Sequence, residues 1–283
     1  MCQNASFKMN NPSLNNPRLA TFVRLAVGIL CFAVLLSTGW TAGGPVRVLI
    51  LTGQNNHNWQ ETTPALKSIL TQSGHFTVDV TEHPETCDAE TFSKYDVLLS
   101  NWNTYGKNAV VKEWPPQMRD AFVNFIRNGG GFVVVHAGGA SFHDWADYQK
   151  IIGGTWGANT GHGPIHEFEV KFTGADHPVT RGLASFTTTD ELWHRMELQT
   201  DKTVLATAFD TPDKGGTGRD EPVVLVTQFG KGRCFNLVLG HDAKGMQSPG
   251  FQALLLRGTE WAATGSVSEN TTINPSNNPG NQK

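Results

Sequence analysis

The sequence predicts an α/β protein in three layers, a mostly parallel sheet with helices on both faces, with extra antiparallel strands in the C-terminal half. Three observations predict it. Short, almost wholly apolar runs alternate with helix-period segments up to about residue 137. Gly and Pro punctuate each transition at the positions where helices start and stop. From about residue 165 the runs change to apolar–polar alternation, the mark of half-exposed antiparallel strands.

The elements follow in order. "VRVLILTG" (46–53) is nearly continuous in apolar residues and ends on Gly, as a strand buried on both faces does. "TTPALKSILTQSG" (62–74) reads as a helix with Thr at its cap, an early Pro64 and Gly74 past its end. "FTVDVTE" (76–82) and "YDVLLSNW" (95–102) are the next strands. "PPQMRDAFVNFIRNGGG" (115–131) is a helix opened by proline and closed by glycine, and "FVVVHA" (132–137) is the strand after it. Alternating strands and helices imply parallel pairing, and ligands then bind beyond the carboxyl ends of the strands. That rule selects the loops after Leu51, Ser100, Val135 and Leu239. "HEFEVKF" (166–172) and "VLATAF" (204–209) alternate. "PVVLVTQFGKGRCFNLVLGHD" (222–242) reads as a hairpin turning on Gly-Lys-Gly, and "PGFQALLLRGTEWAATG" (249–265) as a closing helix.

The 283 residues carry a net charge of −3, with no basic block. Nucleic acid and anionic membrane surfaces are therefore excluded as expected partners. Arg18 and Arg24 precede the apolar "LAVGILCFAVLL" (25–36) and the small-residue "STGWTAGG" (37–44). This is the order of a secretory signal, with an apolar core shorter than the ~20 residues of a spanning helix. Residues 1–43 are expected to be a signal peptide, or else an N-terminal membrane anchor, and 44–265 a single exported domain, periplasmic or extracellular. The tail 266–283, rich in Asn, Ser and Pro, is expected to be disordered. Cys87 and Cys234, left after cleavage, form no disulfide framework and read as inert buried residues.

The chemistry is expected at the strand ends. "GGGFVVVHAGGASF" (129–142) has the form of the strand-to-turn corner that carries Ser or Cys in many hydrolases and amidotransferases, but His136 stands at its entrance and no Cys follows. Its Gly138 and Gly139 permit a ligand to approach backbone N–H groups. His57 follows the first strand, His162 and His166 lie in "NTGHGPIHEF", Glu191 and Trp193 in "TTTDELWHRM", and His241 and Asp242 end "LVLGHD". Four readings of these residues are open. His136, His166 (or His162) and His241, with Glu191 or Asp242, are candidate ligands for a divalent metal such as zinc or manganese. His136, Glu191 and His241 are candidates for acid–base catalysis next to a sugar carbonyl or hydroxyl. Trp59, Trp102 and Trp193, with His57, His162, Gly138, Gly139 and Asp242, are candidate contacts for a carbohydrate, since aromatic faces stack on sugar rings. In the fourth reading these histidines and tryptophans serve only packing and strand ends.

"VLILTGQNNHNW", "GGFVVVHAGGASF", "IIGGTW", "HPVTRGLASFTTTDELW" and "EPVVLVTQFGKGRCFNLVLGHD", ending in "GTEWA", together resemble the ThuA-like (trehalose utilisation) family in the right order over about 46–265. The resemblance implies a class I glutamine amidotransferase-like, flavodoxin-like fold. It implies disaccharide metabolism, particularly through 3-keto sugar intermediates. Amidotransferases carry a Cys at the corner occupied here by His136, so glutaminase activity is excluded, while the histidine after their last strand has its counterpart in His241. Joined to the residue reading, this makes the expected function an enzyme acting on a small carbohydrate such as a 3-keto-glycoside, with a non-catalytic sugar-binding or scaffold domain as the alternative.

Overall fold

The computed structural model describes residues 44–107, 109–268 and 271. The expected signal or anchor segment 1–43 lies outside them, as does most of the tail. No helix among the described residues is long and apolar enough to cross a membrane.

Thirteen strands occur among these residues: β1 (Val46–Leu51), β2 (Phe76–Thr81), β3 (Val97–Ser100), β4 (Gly131–Val135), β5 (Gly154–Thr155), β6 (Gly161–His162), β7 (His166–Phe172), β8 (Phe186–Asp190), β9 (Trp193–His194), β10 (Glu197–Leu198), β11 (Lys202–Asp210), β12 (Arg219–Phe229) and β13 (Gly232–Leu237). Nine of them form one sheet in the order β2-β1-β3-β4-β13-β12-β11-β7-β8. The five strands from β2 to β13 are parallel, and every pairing beyond β13 is antiparallel. The expected hairpin is β12–β13, and it joins the parallel half to the antiparallel half. Short ladders pair β5 with β10 and β6 with β9.

The helices are α1 (Trp59–Gln72), the single turn α2 (Ala89–Phe92), α3 (Pro116–Arg127), α4 (Ala146–Ile152) and α5 (Pro249–Thr264). α1 begins a turn before the expected Thr62, at Asn58, and holds Pro64 inside it. Pro64, the sixth residue of α1, gives up the one bond its N–H would have made to Gln60 O. α4 and the edge strand β8 were not anticipated, because "ADYQKII" and "FTTTD" are too short for a period to stand out.

Side-chain alternation sorts the core. Val48, Ile50, Val133 and Val135 face α1 and α5; Leu49, Leu51, Phe132 and Val134 face α3 and α4. Both faces of these strands are covered, which is why their sequences show no polar alternation.

Direction decides where the site can form. Each antiparallel step beyond β13 reverses the chain, so β11 and β8 run the same way as β4 and β13. The residues after β1, β4, β8 and β13 therefore leave the sheet at one edge.

Candidate functional site

His136 leaves β4 into a one-turn 3-10 segment with φ of +39°. A non-glycine residue in the left-handed region costs of order 1–3 kcal/mol and persists where its surroundings hold it. Its ring, 1% exposed, has Nδ1 2.6 Å from Val238 O. A carbonyl only accepts, so Nδ1 carries the proton and donates, which makes Nε2 the ring atom free to face the centre. Nε2 is buried without a hydrogen-bond partner, yet stands 3.4 Å from Glu191 Oε1.

Three more groups meet it. His241 follows β13 through Gly240, whose φ of +101° turns the chain back. Its Nδ1, likewise buried and without a hydrogen bond, lies 3.3 Å from Glu191 Oε2. His57 is oriented by Asn55 Oδ1, which accepts from its backbone N–H at 2.9 Å and stands 3.1 Å from its Nδ1. The three rings meet edge to face, with centroids 4.5–5.3 Å apart. Glu191 Oε1 accepts from Trp193 Nε1 at 3.0 Å, and Oε2 faces His162 Nδ1 at 3.1 Å. One ligand-capable atom from each of His57, His136, Glu191 and His241 lies within 4.8 Å of the others.

The electrostatics follow from crowding in a buried space. Burial, then the neighbouring His136 and His241, push the His57 pKa down to about 3. Burial alone would raise the Glu191 pKa, but the close approach of His136 and His241 outweighs it and holds the carboxyl well below the usual range. Glu191 in turn raises the His241 pKa against its burial. His136 Nε2 and Glu191 Oε1, 3.4 Å apart, can be bridged either by a proton on Nε2 or by a cation between them. The donor set is one a divalent ion accepts: neutral imidazoles, one carboxylate, and an outer carbonyl fixing the tautomer of His136.

The centre opens into a small cavity of about 80 Å³. It is lined by His57, Glu191, Trp193, Asn56, Tyr105, Ala140, Trp156 and the exposed His162. Trp156 packs edge to face on both Trp193 and Tyr105.

The expected residues divide. His57, His136, His162, Glu191, Trp193 and His241 converge. His166 does not join the four-residue group; its Nδ1 is taken by Pro164 O and its ring packs on Phe168, so His57 takes the place expected of it. Trp102 is corrected from ligand contact to core: it is 1% exposed and stacks on Phe142. Gly138 and Gly139 are buried, and a Cβ on them would meet Ser100 O at 2.8 Å and the Trp193 ring at 3.2 Å, so they serve close packing. Asp242 caps the following turn through Gly245 N. Trp59 opens α1 and does not line the cavity. Tyr105 was missed, since it lies in a loop with no periodicity. Asp190 was passed over beside Glu191, although its carboxylate holds the backbone beneath the centre.

Comparison with known proteins agrees with this fold. The model of the ThuA family, described as trehalose utilisation, matches residues 47–262. A ThuA-like protein from Parabacteroides merdae is 33% identical, with 80% of this chain and 92% of that chain covered and a TM-score of 0.71. A ThuA-like protein from Bacteroides uniformis is 21% identical, with 80% and 96% covered and a TM-score of 0.60. A cytoplasmic protein from Salmonella typhimurium, 12% identical with 77% and 99% covered and a TM-score of 0.56, shares the fold alone. No curated protein matches the chain.

Proposed function

Because the chain belongs to the ThuA (trehalose utilisation) family, we propose that it is an exported enzyme acting on a carbohydrate of the 3-keto-glycoside class, through a divalent-metal centre formed by His57, His136, Glu191 and His241. One observation carries the reading. Four ligand-capable groups converge at the carboxyl edge of the sheet, and two of their ring nitrogens are buried without a hydrogen bond. The family's link to a disaccharide supports the substrate class.

The residues suit that substrate. A ketone on the ring makes the neighbouring C–H acidic, and a divalent ion held here would supply Lewis acidity toward the ketone oxygen. Glu191, whose pKa is held low by His136 and His241, serves in this reading as an ionised ligand in place of the general base or acid expected from sequence. Val238 O and Asn55 orient His136 and His57. Trp156 and Tyr105 offer the faces against which a ring packs.

The test is turnover of a 3-keto-glycoside and its unoxidised parent by the purified chain, with metal content by elemental mass spectrometry. Near-stoichiometric metal, and turnover of the keto sugar lost in His136→Ala, is the expected result. Neither metal nor turnover in wild type refutes it. The aromatic walls favour a second reading, a non-catalytic sugar-binding domain. In that case Trp156→Ala lowers sugar affinity and no variant has turnover to lose.

A further inference from the structure

We propose that Asp190 is a positioning residue that ties the antiparallel edge of the sheet to the loop after β13 and so brings Glu191 and His241 to one point. The proposal rests on the reading of the His/Glu centre given above.

Sheet order shows why such a tie is needed. β8, which delivers Glu191, is four strands away from β13, which delivers His241. Ladder bonds of β8 run only to β7. Asp190 is the last residue of β8 and 2% exposed. Its Oδ2 accepts from Gly240 N at 2.7 Å, and its Oδ1 from His241 N at 3.1 Å and Glu191 N at 2.8 Å. Three backbone N–H groups, two of them on residues of the centre itself, thus converge on one carboxylate. No arginine or lysine pairs with it among the described residues. Gly245 leaves no spare room, since a Cβ there would stand 3.1 Å from Oδ2. A carboxylate satisfied by amides at this density fixes a backbone geometry, and it does so without reaching the cavity, whose lining omits Asp190.

The prediction separates this role from general structural support. In Asp190→Asn one oxygen becomes an N–H₂ donor facing backbone donors, so the tie fails locally while the side chain keeps its size. Hydrogen exchange on the full chain should then lose protection in segments 187–194 and 238–246 and keep it in β1 and β4. Cobalt(II), used alone as the probe, should bind about 10- to 100-fold more weakly, the range for loss of an outer support, and with a changed visible spectrum. Unchanged exchange in both segments overturns the proposal. If wild type takes up no cobalt, the metal reading of the centre fails, and exchange still decides the role of Asp190. If Asp190→Asn does not fold, Gly245→Ala displaces the same carboxylate, and the same local loss of protection is expected from it.

Discussion

Replacing Glu191 with glutamine keeps the shape of the side chain and removes one buried negative charge. In the native protein Oε1 accepts from Trp193 Nε1 at 3.0 Å, and Oε2 faces His162 and His241 at 3.1 and 3.3 Å. A hydrogen bond to a charged group contributes roughly 1.5–3 kcal/mol and a neutral one roughly 0.5–1.5. The Trp193 bond should therefore lose about 1 kcal/mol near neutral pH without metal. For a domain of this size that lowers Tm by about 2–4 °C. The pH dependence has a definite sign. Because the folded pKa of Glu191 is depressed, its contribution is complete above the unfolded value of 4.5 and is lost as pH falls below it. The gap between wild type and Glu191→Gln, read from urea melts in chelator, should be full at about pH 7 and narrower at about pH 3. Equal stability near neutrality, or a gap that does not narrow in acid, refutes the claim that the imidazoles hold this carboxylate ionised.

Other expectations concern the same region and the core. Zinc or manganese at about 100 times its Kd should stabilise wild type by about 2.7 kcal/mol and leave His136→Ala unmoved, by thermal melts. His57 should remain neutral well below its ordinary pKa of 6.5, since burial lowers it to about 3. Stability from its neutral form is complete above 6.5 and lost as pH falls toward about 3, so His57→Gln should flatten that limb of the acid-unfolding curve, and imidazole NMR should show no titration of His57 near pH 6. Cys234, fully buried with its thiol pKa pushed up, should resist alkylation in the native protein and react once the chain is unfolded. Gly138→Ala places a Cβ 2.8 Å from Ser100 O and should destabilise by about 1–3 kcal/mol in urea melts.

The parallel half of the fold was legible because strands covered on both faces leave unbroken apolar runs, as in "VRVLIL" and "GFVVV". The histidines were legible because strand direction alone assigns their loops to one edge. β8 was hidden, since "FTTTD" has too few apolar residues to signal a strand, and with it went the reason Glu191 arrives at the centre. Trp102 and His166 misled for a shared reason. A residue at or near a strand end can point into the cavity or away from it, and sequence position does not distinguish the two. Only the packing of Trp102 on Phe142 and of His166 on Phe168 does.

The four groups of the centre sit on four separate connections, from residue 57 to residue 241. An extended chain offers an ion only isolated single ligands, so any metallation of this centre would follow closure of the sheet. A polypeptide threaded unfolded across a membrane would leave behind whatever ions surrounded the ribosome. Its cargo would be chosen by the fluid in which folding finished, and the metal recovered with the native protein would then identify that compartment.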